Sequence, residues 1–299
     1  MSWTISRGGE INVNVRPLPA LGLLTVNLGP CAEPNALTDV VKRAEDAGFE
    51  SAWTCEHVVL PDPKLDSLPM EPDFPMLASL PALVWAAAAT TTLRLGTGIL
   101  IAPLYSPAIL AKELATLDVL SQGRLILGIG VGYLEPEFDA VGVDFKSRGQ
   151  IADECIHAVQ SLWYDAAPSF EGKYVAFNNV NAYPKPIQSQ IPITVGGMST
   201  PALRRALRLG NGWFGTSQTP DSLSEIKNAV AELAGKVERP DHLGPLEITV
   251  IPKGRLTRDW AERFIELGVD RIVLWPSYNL DSINRVIDDT PAVLQSVGV

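Results

Sequence analysis

Two stretches decide the fold: Leu93-Arg-Leu-Gly-Thr-Gly-Ile-Leu-Ile101 and Gly123-Arg-Leu-Ile-Leu-Gly-Ile-Gly-Val-Gly-Tyr-Leu-Glu-Pro-Glu-Phe138. Each opens with an apolar run of strand length broken by glycine, and the 107–120 segment between them has a helical pattern. The pair reads as a buried βαβ unit. Glycine inside a strand marks a bulge or the close approach of another backbone or a ligand. A flat ligand lying on a sheet is the expectation.

Working outward, the same alternation extends over most of the chain. Strand-like segments fall at 21–26, 51–57, 93–101, 125–132, 193–197, 212–217, 246–252 and 271–276. Helical patterns lie at 34–47, 76–89, 107–120, 148–163, 200–209, 222–234, 257–267 and 282–296. Several begin at Pro, Ser, Thr or Asp and stop at glycine, as at Gly48, Gly123, Gly210 and Gly268. Strict alternation requires parallel strands covered by helices, and eight units close a (β/α)8 TIM barrel. An open doubly wound sheet would carry Gly-x-Gly-x-x-Gly after its first strand, where this chain has Leu21-Gly-Leu-Leu-Thr-Val-Asn27. The expected organisation is a polar, loose extension over residues 1–20 and one barrel over 21–299, with insertions at 58–75, 133–147 and 164–192. These long connections leave the strands' C-terminal ends, the rim where barrel active sites sit. Alternating aromatics in Phe170-Glu-Gly-Lys-Tyr-Val-Ala-Phe177 suggest a short hairpin within the last.

The 299 residues are 46% hydrophobic, enough to fill one large α/β core, and carry a formal net charge of −10. That charge argues against nucleic acid as the main partner. No apolar run is long enough to span a membrane and no signal-type start is evident, so neither a membrane partner nor secretion is expected, and a cytoplasmic address is. Cys31, Cys55 and Cys155 are widely spaced and read as reduced thiols; with only three histidines and no paired ligand spacing, no metal is expected.

Glu56 and His57 stand at the end of the second strand. On a barrel rim His57 is suited to hydrogen-bond a cofactor carbonyl or exchange a proton, against the plainer role of tying down the following loop. In Gly128-Ile-Gly-Val-Gly132 a dinucleotide pattern is suggested only superficially, because Tyr-Leu-Glu-Pro-Glu-Phe follows as a loop. Tyr133, Glu135 and Glu137 then project into the rim, the carboxylates as acids or bases or as solvated loop charges. Gly196-Gly-Met-Ser-Thr-Pro201 opens a helix with free N–H groups and suits a phosphate; a plain N-cap at Ser199 or Thr200 is the alternative. Arg148 is suited to pair with Glu137, with an anionic cofactor, or on the surface. Lys253 and Arg255 are secondary candidates at the barrel's usual phosphate position.

Taken together, Glu56-His57, Leu93 to Gly98, Leu117-Asp-Val-Leu-Ser-Gln-Gly-Arg-Leu125, Gly128 to Phe138 and Ile193-Thr-Val-Gly-Gly197 resemble the bacterial luciferase-like monooxygenase superfamily, and within it the branch that uses the deazaflavin coenzyme F420. The resemblance implies a flavin-type ring at the C-terminal rim, with a non-prolyl cis bulge at Gly98-Ile99 behind it. It also implies His57 beside the ring and the cofactor phosphate near Gly196, Gly197, Met198, Ser199 and Thr200. Glu56, Gly132 and Arg148 complete the expected cofactor-binding set; His57, Tyr133 and Glu137 form the expected catalytic set. Members of the branch transfer a hydride between the deazaflavin and an organic substrate, whereas relatives using FMN activate oxygen. Sugar-phosphate dehydrogenases of the superfamily carry a glutamate where this chain has Tyr133, and its first strand offers Asn27 rather than an acid, which argues against a sugar phosphate. Leu60, Phe74, Tyr105, Tyr133 and Trp275 suggest an apolar carbonyl or unsaturated substrate. The leading expectation is an F420-dependent oxidoreductase, with an FMN-dependent two-component monooxygenase and a non-catalytic cofactor-binding barrel as alternatives, each as a homodimer.

Overall fold

The computed structural model describes residues 3–5, 11–13, 17–66 and 68–297. Eight parallel strands form the barrel: β1 Ala20–Leu23, β2 Ser51–Thr54, β3 Arg94–Thr97, β4 Leu125–Gly130, β5 Ile193–Gly196, β6 Gly212–Gln218, β7 Glu247–Pro252 and β8 Arg271–Leu274. Each pairs with its sequence neighbours, and β8 returns to β1 with Ile272 opposite Leu21, which closes the cylinder. Helices α1 Pro34–Asp46, α2 Ser79–Ala89, α3 Pro107–Leu120, α4 Arg148–Tyr164, α5 Thr200–Leu209, α6 Pro220–Ala234, α7 Arg258–Glu266 and α8 Leu280–Gln295 follow the strands in order. The alternation read from the sequence is therefore the architecture.

Two local details differ from the expectation, and a third matches the bulge that the resemblance implied. Trp3–Ile5 and Ile11–Val13 pair antiparallel instead of forming a loose start, in keeping with their β-branched and aromatic content. Residues 1, 2, 6–10 and 14–16 of the expected extension lie outside the described residues. Glu135–Val141 is a short helix rather than loop: Pro136 opens it, Glu135 and Glu137 face its positive end, and Gly142 stops it at φ 75°. The third strand breaks at Gly98 and resumes as Leu100–Ile101, still paired with β4. The suggested hairpin forms, with Phe170 opposite Phe177. Its connection is anchored where buried Asp118, near the end of α3, accepts the Ile187 N–H at 2.8 Å and the Gln188 side-chain amide at 2.7 Å.

Inside the barrel Leu24, Trp53, Ile126, Phe214, Ile251 and Val273 pack as one cluster, with the Trp53 and Phe214 rings 5.3 Å apart. The Trp53 indole fills the space above Gly22 and Gly96 of the flanking strands, where an added methyl group would overlap it. At the opposite end from the rim, Arg271 is 5% exposed and donates from two nitrogens to Glu50 at 2.9 and 3.0 Å, and also to Glu247 and Thr249. Burial pushes the Glu50 carboxyl up, but the Arg271 guanidinium outweighs that and holds it below the usual range. No helix of the described residues is long and apolar enough to cross a membrane.

Candidate active site

At the C-terminal ends of the strands lies a cavity of ≈ 400 Å³, within the range of about 300–1,000 Å³ typical of ligand pockets. Its base is formed by Leu24, Phe214 and Ile251; its sides carry Glu56, His57, Ile99, Tyr133 and Gly196. Met70 and Met76, from the long connection after β2, line it together with Trp275 and Tyr278 after β8. None of the lining residues is lysine or arginine. Among the described residues no group of three or more His, Cys, Asp or Glu is arranged to hold a metal.

The wall at β3 is built by Ile99. The Gly98–Ile99 peptide is cis, as the resemblance implied. The Ile99 side chain reaches over β4 and β5: a methyl placed on Gly130 would sit 2.8 Å from Ile99 Cγ2, and one on Gly196 2.8 Å from its Cγ1. The glycines of the fourth and fifth strands thus form a socket for one side chain of the third. Gly132 has a comparable reason, with φ 74° and a Cβ position 2.8 Å from Ile101 Cγ2.

Glu137 and His57 meet beside this wall. The Glu137 side chain is 0% exposed; Oε1 accepts the Val58 N–H at 2.7 Å and Oε2 lies 3.0 Å from His57 Nδ1. With Glu137 as the acceptor, Nδ1 donates and Nε2 faces the cavity side. There Tyr133 Oη lies 3.4 Å away, the two rings meeting edge to face. Tyr133 is 64% exposed at the rim, yet its hydroxyl is raised above the ordinary phenol range, first by desolvation and then by the charge of Glu137. The three side chains form a chain that can hold a proton at Tyr133 Oη and stabilise charge on the imidazole. Cys55, pushed up to about 12 by burial, is a neutral thiol in the wall.

At the end of β5 the chain turns through Gly197, at φ 112°, into α5. Trp213 Nε1 donates to Gly197 O at 2.8 Å, and across a trans peptide the Met198 N–H then points the opposite way. Ser199 caps the helix through Ala202 N. Arg148 makes no ion pair with Glu137, whose oxygens are already engaged; its Nη1 donates to Phe145 O at 2.8 Å, its guanidinium stacks on the Phe145 ring, and its buried Nε has no partner.

The luciferase-like monooxygenase family model matches residues 20–259. The chain belongs to this family. The uncharacterized protein Rv0940c of Mycobacterium tuberculosis is 30% identical over 79% of this chain and 83% of its own length. The F420-dependent glucose-6-phosphate dehydrogenase of Kineococcus radiotolerans is 35% identical over 62% of this chain and 53% of its own. An F420-dependent secondary alcohol dehydrogenase in complex with an F420–acetone adduct superposes with a TM-score of 0.75 at 18% identity, covering 94% of this chain and 99% of that one. A riboflavin lyase with modified FMN and riboflavin gives 0.78 at 16%, covering 95% and 92%. These structural likenesses describe the fold.

Several site residues of this luciferase-like protein were expected from the sequence: His57, Glu137 and Tyr133 form one contiguous chain, and Glu56, Gly98, Ile99, Gly132, Gly196 and Gly197 line the cavity. Met198, Ser199, Thr200 and Arg148 lie outside the lining. Glu135 takes the solvated alternative, exposed on the first turn of the short helix. Other expectations are corrected. Of the five suggested apolar rim residues only Tyr133 and Trp275 line the cavity; Leu60 does not, the Tyr105 hydroxyl is engaged by Glu56, and Phe74 packs on Tyr278. Arg255 pairs with Asp289 at 3.4 Å and borders a separate cavity beside α8, and Lys253 does not reach the main one. Sequence reasoning missed Met70, Met76 and Tyr278, whose only signal was their position in rim connections.

Proposed function

We propose that this luciferase-like protein is a coenzyme F420-dependent oxidoreductase acting on an uncharged, largely apolar carbonyl or unsaturated substrate. The observation that carries the reading is the Glu137–His57–Tyr133 chain opening on an apolar cavity without a cationic wall residue. The residues fit the group: Ile99 in its glycine socket offers a flat wall, and the turn from Gly196 to Thr200, with the unpartnered Nε of Arg148, suits an anionic arm. A bound deazaflavin supplies the hydride. The protein's part is to hold the ring against Ile99, keep water from it with Met70 and Trp275, and deliver or accept one proton. Carbonyl reduction adds a hydride at carbon and a proton at oxygen; Tyr133 Oη supplies the proton and, exposed at the rim, regains one from solvent, while Glu137 and His57 orient its hydroxyl. The named activities of the Kineococcus relative and of the alcohol dehydrogenase neighbour support the cofactor. The lack of a wall cation disfavours a phosphorylated substrate.

Equilibrium titration with F420 and with FMN, each followed by its own absorbance and fluorescence, tests the cofactor; a panel of ketones, secondary alcohols and enones then tests the reaction. Tighter binding of FMN, with oxygen consumption when reduced FMN is supplied, would overturn it in favour of a flavin-dependent monooxygenase. Tight ring binding with no turnover across the panel would leave a binding barrel. The proposal includes a cytoplasmic homodimer, which light scattering after size exclusion and cell fractionation test.

A further inference from the structure

Beyond Gly98 the third strand parts from β2. Thr97 still lies opposite Thr54, and Gly98 N–H donates to Thr54 O at 2.7 Å; the following pairs, Leu100 with Ile129 and Ile101 with Gly130, are made only with β4. The Ile101 N–H is taken by a side chain, Glu56 Oε2, at 2.6 Å. The second oxygen, Oε1, accepts the Tyr105 hydroxyl at 2.5 Å. One carboxylate therefore holds both ends of the 101–105 segment, at the point where the strand no longer has a neighbouring ladder to hold it. Burial keeps this carboxyl above the usual range, with a smaller push from Glu137, and no lysine or arginine lines the cavity beside it.

We propose that Glu56 is a positioning residue for the cofactor ring: it stands in for a ladder carbonyl, fixes the height of Leu100 and Ile101, and so sets the Ile99 wall. This rests on the reading above that a flavin-type ring lies against Ile99. It moves Glu56 from ligand contact, as expected from sequence, to support of the residues that make the contact. The hydrogen-bond pattern distinguishes the two roles. Glutamine at this position keeps an oxygen for the Ile101 N–H and turns its amide to Tyr105 Oη, which accepts as well as donates. Alanine leaves a buried N–H with no acceptor, and the segment must move or admit water.

The test is fluorescence titration of the full chain with F420, FMN and riboflavin, with circular dichroism melts on each variant. Glu56→Ala is expected to weaken all three rings by about tenfold, riboflavin as much as FMN because the support lies under the ring and not the phosphate, while Glu56→Gln stays within about threefold of wild type. Wild-type affinity in Glu56→Ala would overturn the proposal, as would a loss in Glu56→Gln as large as in alanine, since the charge itself would then meet the ligand. Should the alanine variant not fold, Tyr105→Phe removes only the hydroxyl and decides: a loss of about fivefold or more supports the clamp, and affinity within about threefold of wild type sinks it. A wild-type chain that binds none of the three rings refutes the cofactor reading itself, and this assignment with it.

Discussion

Glu137 and His57 stand eighty positions apart in the chain and 3.0 Å apart in the structure, the carboxylate fully buried and the imidazole turned by it toward the cavity. Its partners are the His57 ring and the Val58 N–H, and among the described residues no lysine or arginine is paired with it, so its removal acts on His57 first. Glu137→Gln is expected to lower turnover by about 10–100-fold while leaving cofactor affinity near wild type, because orientation and charge of the imidazole are lost but the ring wall is not. Steady-state kinetics beside a cofactor titration check it; equal loss in both would show that Glu137 merely holds the loop. Tyr133→Phe should lose turnover likewise.

The glycine socket predicts a rescue. Gly130→Ala places a methyl 2.8 Å from Ile99 Cγ2 and should cost about 1–3 kcal/mol by overpacking. Ile99→Ala in the same chain should recover part of that cost, although Ile99→Ala alone destabilises. Urea unfolding of the two single variants and the double reads the coupling; additive losses would show that the two residues do not share the space.

Trp213 is expected to matter for the phosphate rather than for the ring. Trp213→Phe keeps an aromatic side chain but removes the N–H that holds Gly197 O, freeing the peptide whose other side presents Met198 N–H. Affinity for FMN should fall by about tenfold and affinity for riboflavin should not change. Parallel loss of both would mean general loosening of the barrel.

Acid stability has an identifiable source in Glu45. Burial raises its carboxyl, but the N–H groups of Thr92, Leu93 and Thr91, with the Thr92 hydroxyl, together outweigh that and bring it to about 2. A carboxyl depressed on folding stabilises the protein above its unfolded value of about 4.3, and that contribution is lost as pH falls toward about 2. Glu45→Gln should therefore flatten the decline of the melting temperature below about pH 4.3 and lower the melting temperature at neutral pH. An unchanged acid limb would assign the decline to other groups.

The barrel was legible because each strand is a short apolar run and each helix carries its own start and stop residues, so local signals repeat eight times. His57 was legible from its position at a strand end, and the bulge at Gly98-Ile99 from the family resemblance. What remained hidden depends on separation in sequence. Nothing local to Glu137 distinguishes a buried partner of His57 from a solvated loop charge, and the start of the short helix at Glu135 was masked by the preceding Gly-x-Gly pattern. The glycines of β4 announced that something approaches closely, but only the fold identifies it as Ile99, thirty-one positions before Gly130 and ninety-seven before Gly196. Arg148 was read as a partner for a carboxylate, whereas the aromatic Phe145 three residues earlier captures its guanidinium.

Trp53 and Phe214 pack against each other inside the barrel, and Phe214 also lines the cavity. If, as proposed, a coenzyme ring lies on Ile99 beneath the reacting molecule, the expected kinetic pattern is an ordered one: coenzyme before reactant, product out before coenzyme.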